Sequence, residues 1–197
     1  MEINKWCGEW INFEEFIDNQ NEHMKKSWDE AEMFCNKMPM FSHGVKAFWK
    51  MACNSTNQEN TEVIKKWIIQ TSGDNLEIEW IFENKMFKDI YHYQETITSG
   101  LENKENYLFV GEKESPFKYV LSMEPMPTKE EYQNGGLLPH LHYQYASKLE
   151  NLYDGSLKNK NWYPTMVYNE NTTLLEQCNI VRALHHLPLW NQIETKS

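Results

Sequence analysis

The chain has 197 residues, with 19 Lys and Arg against 29 Asp and Glu and a formal net charge of −10. That length suits one globular domain, expected here to span residues 1–197. The acidity, with no dense Lys/Arg cluster, argues against nucleic acid as a partner, and no stretch approaches the roughly 20 apolar residues that a helical membrane span needs.

Residues 1–12 lack the basic-then-apolar layout of a secretory leader. A cytoplasmic location follows if Met1 is the native start, and a periplasmic or extracellular one if a leader was removed. The cysteines (Cys7, Cys35, Cys53, Cys178) are far apart and form no CxxC pair. Reduced, mostly buried thiols are expected, with two disulfides as the alternative for an exported protein.

In chain order, the first half reads as helical. Phe13, Phe16, Ile17, Met24, Trp28, Ala31 and Phe34 are spaced for one face of a helical stretch over 13–34. A second helix is expected over 42–51 and a third over 61–70, where Thr61 and Glu62 suit a helix start. After Gly73 the period becomes two: Leu76, Ile78, Trp80 and Phe82 alternate with Glu77, Glu79, Ile81 and Glu83. Asn84-Lys85 suits a turn into a strand over 86–93, and further strands are expected over 107–112, 117–123 and 141–146. Turn residues separate them at Ser99-Gly100, Ser115-Pro116 and Asn134-Gly135-Gly136. Trp162-Tyr163-Pro164-Thr165 reads as extended, and 172–187 as a last helix with Leu174, Leu175, Cys178, Val181 and Leu184 near one face. Helices followed by hairpin-linked strands predict an α+β, mainly β domain whose antiparallel sheet closes into a barrel to hide its edges.

The stretch that carries chemistry is Pro139-His140-Leu141-His142-Tyr143. On a strand, side chains two apart share a face, so His140 and His142 project together and can ligate one zinc-like cation. The alternative is a hydrogen-bonded pair lining a polar interior. On the 117–123 strand and just beyond it, Val120, Ser122 and Glu124 share a face. Glu124 is a candidate third ligand, or else a surface carboxylate; two His and one carboxylate form a recognised donor set for zinc and for non-haem iron. His92 lines the barrel or its surface, or reaches the site from a third strand. His185 and His186 diverge by about 100° on a helix and cannot chelate together; one of them suits the helix dipole. His23 and His43 are expected to face solvent. No phosphate loop, GxSxG elbow or HExxH helix is present.

Several short motifs, in order and spacing, carry a family resemblance over nearly the whole chain. Trp6-Cys7-Gly8-Glu9-Trp10, the helical stretch after it (about 13–70), Tyr107-Leu108-Phe109, Phe117-Lys118-Tyr119, Pro139-His140-Leu141-His142 and Asn161-Trp162-Tyr163-Pro164-Thr165 resemble the ZinT/YodA family. The resemblance implies a lipocalin-like (calycin) β-barrel with a helical insertion after its first strand. It also implies a metal held near the barrel mouth by a His-x-His pair and one earlier histidine, in the service of zinc homeostasis. His140 and His142 match the pair, and Glu124 stands where the family has the earlier histidine. The resemblance implies zinc or cadmium, and a carboxylate there hardens the site, so iron, manganese and cobalt join them as candidate ions. Residues 1–197 show no match to the family's His-rich tract, and its disulfide has no match among these cysteines.

Three functional readings follow: a divalent-metal binding protein acting in buffering or transfer; a metal-dependent enzyme using the same site on a small molecule in the barrel, lined by Trp80, Tyr143, Tyr145 and Trp162; and a metal-free binder of an apolar ligand.

Overall fold

The computed structural model describes residues 2–54, 62–98 and 104–193. A 3-10 turn (Ile3–Trp6) leads into strand β1 (Gly8–Asn12), helices α1 (Glu14–Ile17), α2 (Glu22–Cys35) and α3 (Val45–Asn54), and strands β2 (Lys66–Ser72), β3 (Asn75–Ile81), β4 (Met86–Thr98), β5 (Glu105–Gly111) and β6 (Tyr119–Ser122). Helix α4 (Lys129–Gln133), strands β7 (His140–Leu141), β8 (Tyr143–Ala146) and β9 (Met166–Tyr168), and helix α5 (Leu174–Leu184) follow.

The described strands form one antiparallel sheet in the order β7-β9-β1-β2-β3-β4-β5-β6-β8. Its two outermost strands, β7 and β8, are separated in sequence by His142 alone. One residue therefore joins the two edges of the sheet. Beyond β6 the chain also stitches to β7, through Met126 N–H to the His140 carbonyl and His140 N–H to the Met126 carbonyl, each at 3.1 Å. The result is a nearly closed barrel, the lipocalin-like α+β fold expected, with few backbone groups left to pair with other chains.

Period-two patterning sends aromatic rings into the barrel. Trp67 lies 4.5 Å from Trp80 and 4.1 Å from Tyr143 between ring centroids, and Trp80 stacks on Phe117 at 4.5 Å. Each such pair contributes about 0.5–1.5 kcal/mol beyond the burial of its area. On the opposite face of β3, Glu77 and Glu79 both reach Lys88, at 2.7 and 2.8 Å. Trp6 closes one end of this interior: its indole N–H lies 3.0 Å from the Met123 carbonyl and 3.1 Å from Ser122 Oγ, while Trp10 donates to the Trp6 carbonyl at 2.8 Å. Gly8 between them is required, because a Cβ there would stand 2.6 Å from the Tyr168 ring at a φ of +134°.

The helices form a second layer on the outside of the sheet. Phe13, Met24, Trp28, Trp49, Cys178 and Val181 make one buried cluster that also takes in Leu138 and Val167. A capping box starts α5, with Thr173 Oγ1 accepting from Glu176 N–H and the Glu176 carboxylate accepting from Thr173 N–H.

Three local expectations need correction. Residues 66–70 are not helical but belong to β2, which pairs with both β1 and β3; Thr61 lies outside the described residues, as does the Ser99-Gly100 turn. Trp67-Ile68-Ile69 suits a buried helix or a buried strand equally, and pairing on both sides decided the matter. The helical insertion, placed over about 13–70, thus ends before β2. The 13–34 stretch is two helices, broken at Asp18 and restarted where the Asn21 side chain accepts from His23 N–H at 2.9 Å. Its buried face ends on Cys35, while Phe34 turns to solvent with 54% of its surface exposed.

Candidate metal centre

The expected strand over 141–146 is interrupted at the residue that matters most. His140 lies in β7, across from Val167 of β9, and β8 begins at Tyr143. His142 is the link between them. Leu141 and Tyr143 both enter the interior aromatic cluster. The two imidazoles turn the other way, with ring centroids 5.2 Å apart and planes inclined at 58°. They therefore share a face, as the spacing requires, but that face is the outer side of the barrel. Residues 157–165 run over it, and Leu157 and Trp162 pack there against the Leu108–Leu121 cluster.

His142 Nδ1 lies 3.0 Å from the Trp162 carbonyl. A carbonyl only accepts, so Nδ1 carries the proton and Nε2 keeps its lone pair. His140 Nδ1 is buried and has no hydrogen-bond partner among the described residues. Burial and then the neighbouring His142 push His140 down to about 3, against an opposing interaction with the Leu138 backbone. Burial pushes His142 down to about 4, opposed by the Trp162 carbonyl and assisted by the charge of Lys104. Both rings are thus neutral near pH 7, the form that ligates metals.

Glu124 is placed differently. Its carboxylate pairs with Lys5 at 2.9 Å and accepts from the Tyr107 hydroxyl at 3.1 Å. Among the described residues no group of three or more His, Cys, Asp or Glu side chains is positioned to hold a metal, so the structure brings the two histidines together and leaves Glu124 with Lys5. It remains a neighbour in the sheet: Met123 N–H bonds to the His142 carbonyl at 2.9 Å. Its side chain lines an open hollow of about 320 Å3 that it shares with Lys104, Tyr107 and Met126.

The other histidines lie elsewhere. His92 sits on the exposed side of β4 between Asn75 Oδ1 at 2.8 Å and Glu112 Oε1 at 3.0 Å. His43 is exposed and His23 half-buried near Trp190, at 6.2 Å between rings. His186 is exposed, while His185 beside it is fully buried, accepting from the Trp49 indole N–H at 2.8 Å. Its surroundings are the helical core, which a charged ring would disrupt. The Trp162 carbonyl escaped the sequence reading altogether, because a backbone acceptor twenty residues away leaves no mark in side-chain pattern.

Trp80, Tyr143 and Tyr145, considered as walls of a cavity, instead fill the interior, and Trp162 packs on the outside. A small molecule within the barrel has no support from this packing. No helix among the described residues is long and apolar enough to cross a membrane.

Fold and seam together define a lipocalin-like β-barrel with an outer helical layer and a two-histidine pair where its edges meet. No family profile and no curated protein matches the chain. Among solved structures it is similar to the Zn(II)-bound ZinT-like domain of Streptococcus pneumoniae AdcA, at 16% identity and a TM-score of 0.53 over 92% of this chain and 88% of that one. It is also similar to Zn(II)-bound AdcA from the same organism, at 17% identity and a TM-score of 0.52 over 92% of this chain. The chain spans 34% of the length of that AdcA chain. Its fold is that of a ZinT-like domain.

Proposed function

We propose that this protein binds a divalent, zinc-like metal through His140 and His142, with Glu124 as the third protein ligand, and acts in metal buffering or transfer. One observation carries the reading: two imidazoles neutral near pH 7 stand 5.2 Å apart on one face, one with its proton fixed by a carbonyl. Likeness in fold to two zinc-bound structures supports it. Recruiting Glu124 requires breaking a half-exposed ion pair with Lys5, an interaction worth about 0–1 kcal/mol. A bond to a divalent cation offsets that readily. The carboxylate hardens the donor set, so cobalt, manganese and iron compete with zinc, and cadmium binds through the imidazoles. Catalysis on a small molecule inside the barrel gains no support from an interior filled by rings.

Calorimetric titration of chelator-treated protein without a His-tag tests the reading. One zinc per chain is expected, with stoichiometric binding abolished in the His140→Ala/His142→Ala double variant and affinity lowered about tenfold or more in Glu124→Gln. Full-affinity binding by the double variant would overturn the site, and an unchanged Glu124→Gln would remove that carboxylate from it.

A further inference from the structure

Residues 159–165 have no regular secondary structure, yet three of their carbonyls are gripped by side chains of the strand beneath. Gln144 on β8, 1% exposed, donates through its amide nitrogen to the Asn159 carbonyl at 3.1 Å and to the Asn161 carbonyl at 3.2 Å. The next carbonyl along, that of Trp162, accepts from His142 Nδ1 at 3.0 Å. Gln144 and His142 are two residues apart, so amide and imidazole stand side by side under one piece of chain. Both partners of the amide are acceptors, which fixes its NH2 end toward them. The other end, Oε1, is buried without a partner among the described residues. An apolar side chain of similar size would avoid that penalty, so the residue is explained by what its two donors do.

We propose that Gln144 is a positioning residue for the metal pair. By pinning the Asn159 and Asn161 carbonyls it holds the Trp162 carbonyl over His142, which keeps the ring proton on Nδ1 and leaves Nε2 as the donor to the ion. This deepens the metal-binding reading and rests on it. Outer partners of this kind set the tautomer and orientation of a ligating histidine. Here the control is indirect, passing through a segment of chain that Gln144 secures.

The test reads histidine ring nitrogens by 15N NMR in metal-free protein near neutral pH, alongside zinc titration. Wild-type His142 is expected as the Nδ1–H tautomer alone. In Gln144→Met it becomes a mixture with the Nε2–H form, and zinc affinity falls about 10–100-fold. His185, whose Nδ1–H is held by the Val181 carbonyl at 2.6 Å, serves as the internal control and keeps its tautomer while the fold is intact. Gln144→Leu, which also removes both donors, gives the same result if Gln144→Met fails to fold. An Nε2–H tautomer for His142 in the wild type would overturn the proposal without any variant. Unchanged tautomer and affinity in a folded variant would overturn the positioning role alone. The expected tautomer in a wild-type protein that takes up no zinc would instead overturn the metal-binding reading.

Discussion

The indole N–H of Trp49 on α3 reaches Nε2 of His185, just past the end of α5, at 2.8 Å, and the other nitrogen of that imidazole lies 2.6 Å from the Val181 carbonyl. The ring is thereby satisfied on both sides as a neutral group, and it ties two helices far apart in sequence. Replacing Trp49 by Phe leaves a buried acceptor with no donor, which costs about 1–3 kcal/mol before any loss of packing is counted. Urea unfolding of Trp49→Phe should show at least that loss. A change under about 0.5 kcal/mol would mean that the bond contributes nothing.

The buried His185 and the half-buried His140 and His142 set a common direction for stability against pH. Burial lowers His140 to about 3, His142 to about 4, and His185 below its ordinary value. A histidine whose folded pKa is depressed takes up its proton first in the unfolded chain, so folding is favoured above about 6.5 and loses ground as pH falls toward the folded values. The expected decline runs from about pH 6.5 to 4, approaching 1.4 kcal/mol per pH unit for each histidine that is protonated only when unfolded. Melting temperatures across that range measure it. A flat profile would show these rings to be solvated.

Zinc affinity should respond to pH less than that of an ordinary histidine pair. Protons compete with a metal only as pH approaches the folded-state pKa, here about 3 for His140 and about 4 for His142. Apparent affinity is therefore expected to stay nearly level from about pH 8 to 5, where exposed imidazoles would already have lost much of theirs below about 6.5. Competition titrations against a chelator at several pH values decide between the two profiles.

All four cysteines are free, Cys35, Cys53 and Cys178 are buried, and Cys7 is half-buried. Burial raises each thiol above its usual range, partly offset at Cys7 by Lys129. A thiol reagent at neutral pH should therefore modify at most Cys7 in the native protein and all four after unfolding. Rapid reaction of two or more native thiols would contradict the packing of the helical layer.

Part of the barrel could be read from residue pattern, because β3 buries one face only and alternation records that directly, whereas β5 and β6 are buried on both faces. The pair of imidazoles on one face was legible for the same reason, whereas the caps at Asn21 and Thr173 were seen only in the structure. β2 was misread since three consecutive apolar residues carry no period. Cys35 in place of Phe34 at the end of the α2 face reflects the break after Ile17, which resets the phase of the helix.

Side-chain periodicity thus determined the fold class and the two histidines that face the same way. Tertiary structure alone decided which way that is: the joining of β7 to β8 through His142 puts both rings on the outside of the barrel, under the chain that carries the Trp162 carbonyl. Their neutrality, the pairing of Glu124 with Lys5, and the role of His185 were settled by the same means. Each depends on burial and on partners distant in sequence, and local pattern holds no record of either.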